Sequence, residues 1–205
     1  MQIYFKQNLA FLATPKTGST AYEMTLRKHA DIVFAKRRKH MTAGQFQRKM
    51  TPFLDDFYGI SPERLAVMRH PIEQIRSWYR YRTAPKSGRS DASTANLSFD
   101  DFVLAVLQEP QPKFAAIGSQ YGFLSMADGS VPVHHLFAYE AQSTLRKFLE
   151  QRFDEKLSFP NKNVSPPKPA PLSPEVEQKL RQARAAEFAL YDRIQQADGH
   201  LQAFA

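Results

Sequence analysis

The chain has 205 residues, 42% hydrophobic and 23% charged, which allows one packed core and leaves little room for a second domain. Lys and Arg outnumber Asp and Glu by 28 to 20, a formal net charge of +8 that favours anionic partners without choosing among nucleic acid, acidic polysaccharide, anionic lipid and nucleotides. There is no cysteine, so disulfides, thiolate metal sites and a thiol nucleophile are excluded.

The opening residues carry no signal-peptide pattern, and the first apolar run, residues 9–13, is too short to cross a bilayer. The expectation is a cytoplasmic protein with no transmembrane segment, built as one domain over residues 1–205. The run Leu9-Ala10-Phe11-Leu12-Ala13 reads as a buried parallel strand. A Pro-Lys-Thr-Gly-Ser-Thr turn follows, then a helix to about His29. A second strand, residues 64–68, ends in Arg69-His70-Pro71, where proline opens a helix carrying Ile72, Ile75 and Trp78/Tyr79 at core spacing.

Residues 84–96 are small and polar, a candidate lid. Ser98 and Asp101 form a capping box for a helix over 99–107. Residues 133–139 read as a further strand, and the helix after it places Leu145, Phe148 and Leu149 on one face. Residues 160–174 are too rich in proline for regular structure. From Ser173 one long terminal helix is expected, with Val176, Leu180, Ala183, Leu190 and Ile194 inward. The alternation predicts an α/β fold with a central parallel β-sheet flanked by helices.

Two segments carry chemistry. In the first, Pro15-Lys16-Thr17-Gly18-Ser19-Thr20 joins a buried strand to a helix. Backbone N–H groups at a helix N-terminus favour an anion, Gly18 lets the main chain come close, and Lys16 adds charge. A Walker A loop is excluded, because it needs Gly, four residues and then Gly-Lys-Ser/Thr. Taken alone, the loop reads equally as a plain turn with a Ser or Thr N-cap. In the second segment, Arg69 closes a strand and so projects at the carboxyl edge of the sheet, where α/β folds bind ligands. Ser77 lies eight residues on, and a guanidinium and a hydroxyl there could share one phosphate.

Together these segments resemble the sulfotransferase family, whose members use 3′-phosphoadenosine-5′-phosphosulfate (PAPS). The first matches the loop that binds the 5′-phosphosulfate, at Lys16, Thr17, Gly18, Ser19 and Thr20. The second, Arg69 to Tyr79, is similar to the segment that holds the 3′-phosphate. Its close, Ser77-Trp78-Tyr79-Arg80-Tyr81-Arg82, is similar to the carbohydrate O-sulfotransferase branch. The resemblance implies a P-loop-type fold and transfer of a sulfuryl group to an acceptor hydroxyl, on a glycan or other small molecule. It also implies 3′-phosphoadenosine-5′-phosphate (PAP) as product and no metal. Arg69 and Ser77 would hold the 3′-phosphate, and Lys16 would steady the bridging oxygen. Asn161-Lys162-Asn163-Val164-Ser165 resembles the family's late loop, so that Lys162 and Ser165 would touch the nucleotide. Glu187 to Asp192 resembles the closing helix, with a packing role only.

Sulfuryl transfer needs a base for the acceptor proton. Of the six histidines, His40 follows the basic run Lys36-Arg37-Arg38-Lys39, which favours its neutral form. It stands where the resembled family can carry a catalytic His, and it reads otherwise as a surface His. His70, and Glu140 after the strand, are expected to be structural. The basic run itself reads as a steering patch for an acidic acceptor or as a solvated helix end. No recognition-helix or RNA-binding pattern accompanies it, so nucleic acid is not expected as a partner. Two rivals remain. A P-loop kinase would need an acidic Mg²⁺ ligand at a strand end, where the second strand has Arg69. A non-enzymatic polyanion-binding module would be indifferent to Lys16.

Overall fold

The structure is a computed structural model that describes residues 1–83, 93–159 and 168–202. Its sheet has six strands in the order β3-β1-β2-β4-β5-β6. These are β1 (Gln2–Tyr4), β2 (Leu9–Phe11), β3 (Ile32–Val33), β4 (Glu63–Met68), β5 (His135–Ala138) and β6 (His200–Gln202). The central strands β2, β4 and β5 run parallel. The expectation of a parallel sheet holds for these three alone, because β1 pairs antiparallel with both β2 and β3, and β6 pairs antiparallel with β5.

The reason lies in the connections. Tyr4 opposite Leu9 leaves only residues 5–8 for the turn, and so short a link can join only antiparallel strands. At the other edge, the chain turns at Asp198 and Gly199 and returns along β5. The antiparallel strands β1 and β6 have three residues each and β3 has two, too few to show a period in sequence.

The parallel strands are buried on both faces, which explains the apolar runs at Leu9–Phe11, residues 65–68 and residues 136–138, while Glu63, Arg64 and His135 open β4 and β5. Their side chains alternate between two cores. Ala10, Leu12, Ala66, Met68, Leu136 and Ala138 face one core. Helix α3 (Thr51–Tyr58) closes it with Leu54, and α9 (Ala185–Gln196) with Leu190 and Ile194. Leu9, Phe11, Leu65, Val67 and Phe137 face the other core, covered by α1 (Ser19–Leu26) and α7 (Gln142–Phe153). Between α1 and α3 the chain passes through a short helix, α2 (Ala43–Gln45). A third cluster joins α4 (Pro71–Thr83), α5 (Phe99–Val106) and α8 (Pro174–Ala183). The remaining helix, α6 (Gln120–Leu124), packs against α9.

The capping box of α5 forms as its sequence predicts, with the Asp101 amide 3.0 Å from Ser98 Oγ. The single terminal helix does not form. It is divided at Arg184, whose backbone (φ −117°, ψ 33°) ends α8 and starts α9. Among the described residues, no helix is long and apolar enough to cross a membrane.

The turn into β6 depends on Gly199. Its φ of +81° is a conformation that L side chains rarely adopt, and a Cβ there would stand 2.5 Å from the Cβ of Ala141. Gly199→Ala is therefore expected to lower the unfolding free energy by roughly 2–4 kcal/mol, from backbone strain plus overpacking. Gly59→Ala meets a similar φ of +63° with nothing within 4 Å, and isolates the backbone cost alone. Urea denaturation of both variants checks this, and equal losses would contradict the steric argument.

Candidate functional site

The site is built on the chain that leaves β2. Leu12 donates its N–H to Leu65 O at 2.8 Å, extending the pairing with β4, and the chain then turns away. Thr17 Oγ1 donates to Thr14 O at 2.9 Å. Thr17 is 1% exposed, so this hydroxyl staples the base of the loop and faces no solvent. Lys16 and Gly18 both lie in the left-handed region, at φ 67° and 69°. For Gly18 this is inexpensive, and it also brings the main chain against Tyr139, whose ring would be 3.2 Å from an added Cβ. For Lys16 it is a strained conformation of the kind found at functional positions.

Helix α1 begins at Ser19 with no side-chain cap and no acidic residue in its first turn. The amides of Lys16, Thr17, Gly18, Ser19 and Thr20 have no protein acceptor among the described residues. The buried Thr14 Oγ1 has no partner either. A helix N-terminus with a row of unmet donors suits an anion.

Positive charge gathers beside this loop. Lys16 Nζ lies 3.9 Å from the centroid of the Tyr81 ring and 5.3 Å from that of Trp78. Burial, then the nearby charges of Arg69 and Arg82, push its ammonium down to about 8. Arg69 follows β4 directly, and its guanidinium stacks over Tyr139 at 4.6 Å. Among the described residues its Nε is buried without a partner, and its ion pair to Glu73 is long at 3.9 Å. Glu73 is bound closely by Arg76 instead. The structure thus brings Lys16, the loop amides and Arg69 together. Ser77 sits on α4 and is 9% exposed, with no hydrogen bond to Arg69.

His40 stands at the entrance to the loop. Its Nδ1 is 2.7 Å from Ala13 O. A carbonyl only accepts, so Nδ1 carries the hydrogen and Nε2 keeps its lone pair. Burial holds the imidazole below its usual range, the bond to Ala13 opposes this, and the Lys39 charge adds to the lowering. His40 is exposed overall, and the partial desolvation of its ring contributes more to this lowering than the Lys39 charge. Within that run, Lys39 is built into α1 through Glu23 Oε2 at 2.6 Å and Thr20 Oγ1 at 3.2 Å. Lys36, Arg37 and Arg38 are exposed. The hydroxyl of Thr20 is thereby already engaged, while Ser19 is buried at the start of α1.

His70 and Glu140, expected to be structural, meet through the His70 backbone and the Glu140 carboxylate. The His70 amide donates to Glu140 Oε1 at 3.1 Å, and Tyr191 donates to Glu140 Oε2 at 2.8 Å. Both oxygens of the one carboxylate just beyond β5 are therefore committed. Lys162, Ser165 and most of the candidate lid lie outside the described residues.

Three aromatic residues of the site were not singled out as such in the sequence. Tyr139 backs Gly18 and Arg69, and Trp78 and Tyr81 receive Lys16. The alternation of aromatic and basic residues from Trp78 to Arg82 is the signal that could have marked two of them, since Tyr81 is 53% exposed, too open for a core position. No family model, curated protein or solved structure matches this chain.

A depressed lysine beside unmet donors makes a checkable electrostatic statement. With the lysines ¹³C-methylated, Lys16 is expected to titrate in the NMR spectrum near 8, separated from the rest. Inorganic diphosphate favours the charged form and so raises that midpoint. Its affinity is then highest below pH 8 and falls as Lys16 loses its proton. A Lys16 midpoint that diphosphate leaves unmoved would contradict an anion site at this loop.

Proposed function

We propose that this chain is an O-sulfotransferase that takes a sulfuryl group from PAPS and gives it to an acceptor hydroxyl, on a carbohydrate or other small molecule, with PAP as product. One observation carries the reading. His40, bonded through Nδ1 to Ala13 O and so keeping its Nε2 lone pair, adjoins a loop that carries a lysine of lowered pKa and amides with no protein acceptor among the described residues, and a second cation, Arg69, lies near that lysine. The donor set fits a ligand with two anionic ends. The amides of residues 17–20 and Lys16 would hold the 5′-phosphosulfate, and Arg69, together with Ser77 of α4, would hold the 3′-phosphate.

The chemistry follows from charge and proton placement. PAPS supplies the sulfuryl group. His40 Nε2 takes the proton of the acceptor hydroxyl as the new O–S bond forms. As the bond between sulfur and the bridging oxygen breaks, negative charge grows on the 5′-phosphate, where Lys16 and the loop amides are already oriented. Lys16 with a pKa near 8 is charged at neutral pH, while its partial burial strengthens that interaction. Because Arg69 stands at the strand end and the carboxylate of Glu140 is occupied by His70 and Tyr191, the arrangement favours this reading over a nucleotide kinase.

Lys16→Ala is expected to lower PAPS-dependent turnover by about 10²–10³-fold while PAP affinity changes far less, because the ammonium acts mainly on charge that develops in the transition state. Release of PAP from PAPS with a surrogate acceptor measures it, and turnover like wild type would remove Lys16 from the mechanism. The acid limb of kcat/KM should fall below the usual imidazole range and disappear in His40→Ala. A limb that survives the substitution would place the base elsewhere.

A further inference from the structure

Arg69 lies one residue beyond the last pair of the β4–β5 ladder, Met68 with Ala138. Pro71 has no N–H and restrains His70 toward extended backbone, so the chain here has no regular pairing of its own. Its polar groups are met by one buried side chain. Gln120 Oε1 accepts the Arg69 amide at 2.9 Å, and Gln120 Nε2 donates to Arg69 O at 2.8 Å. The carboxamide thus takes the place of a neighbouring strand residue, holding Arg69 by both its N–H and its C=O.

Gln120 is itself fixed. Glu187 Oε1 accepts both the Gln120 amide at 3.2 Å and its Nε2 at 3.3 Å. With both Nε2 hydrogens directed to acceptors, only one orientation of the carboxamide satisfies the set. Glu187 Oε2 pairs with Arg184 at 3.3 Å, and Arg184 donates to Gly118 O at 3.0 Å. Gln120 and Glu187 are each 1% exposed. Arg184 is the residue that divides α8 from α9, so the break in the terminal helix delivers the anchor of this chain.

We infer that Gln120, anchored by Glu187, is a positioning residue that aims Arg69 at the 3′-phosphate end of the ligand; this rests on the sulfotransferase reading above. It touches no reacting group. Its effect passes through the Arg69 backbone, while Tyr139 fixes the guanidinium by stacking. The consequence is selective. Loosening Gln120 should weaken recognition of the 3′-phosphate and spare the 5′ end, which the loop after β2 holds independently.

The test compares PAP with AMP, which lacks the 3′-phosphate, by calorimetry on wild type and Gln120→Met, a near-isosteric change that removes both hydrogen bonds. The expected result is a loss of about 10-fold or more in PAP affinity with AMP binding within 2-fold. Hydrogen exchange at the Arg69 amide, which needs no ligand, is expected to accelerate in the same variant. If Gln120→Met does not fold, Glu187→Gln serves instead. It keeps an acceptor for Gln120 but loses the charge pair with Arg184, and the same selective loss is expected at smaller size. Equal weakening of PAP and AMP, or an unchanged ratio, would overturn the inference. Wild type without any preference for PAP would overturn the sulfotransferase reading, and the exchange result would then still report whether Gln120 holds Arg69.

Discussion

The parallel pairing of β2 with β4 is the constraint on which the rest of the structure depends. Leu9, Ala10 and Phe11 align with Glu63, Arg64 and Leu65. Two segments more than fifty residues apart in sequence therefore leave the sheet at the same edge, side by side. The loop from Ala13 to Gly18 meets Arg69 there only because both strands point the same way. An antiparallel pairing would send them to opposite ends of the molecule. The pairing is secured by apolar side chains on both faces, Ala10 and Leu12 with Ala66 and Met68 on one, Leu9 and Phe11 with Leu65 and Val67 on the other.

That edge works against the stability of the folded chain. Lys16 is half-buried near two arginines and adopts a left-handed backbone, and the buried Thr14 hydroxyl has no partner among the described residues. Repulsion among these like charges is unfavourable, and an anion would relieve it. The cost is tolerated because the surroundings are rigid. Thr17 staples the loop, Tyr139 backs Gly18 and stacks on Arg69, and Tyr81 with Trp78 receives Lys16 through its ring faces. Unpaired buried side-chain atoms also occur elsewhere, at Gln7, Gln47 and Arg64, but at this corner they coincide with a left-handed lysine and clustered positive charge.

Much of this was legible in the sequence, for identifiable reasons. Strands β2, β4 and β5 each contain a short apolar run, and the starts of α4, α5 and α8 carry Pro71, Ser98 and Ser173, so local signals sufficed. The short antiparallel strands were not legible. Gln2-Ile3-Tyr4 and His200-Leu201-Gln202 have no period of their own and pair because a turn returns them to a formed sheet. The break at Arg184 was hidden for a different reason. The apolar spacing runs on through it, and at the break Arg184 bonds Gly118 O and Glu187, the latter in turn bonded to Gln120, far away in sequence. Glu187, read as packing, belongs to that network. The loop and Arg69 were visible because strand ends and glycines mark them, while Tyr139 and Gln120 gain their roles only through tertiary contact.

The central claim is that this edge binds a nucleotide by two separate anionic ends. The most direct measurement is titration of the purified wild-type chain with PAP by calorimetry in metal-free buffer, with AMP and ATP alongside. The account predicts binding that requires the 3′-phosphate, tighter for PAP than for AMP by about 10-fold or more, and no gain on adding Mg²⁺. Equal affinity for PAP and AMP, or ATP binding that depends on Mg²⁺ and exceeds that of PAP, would contradict it.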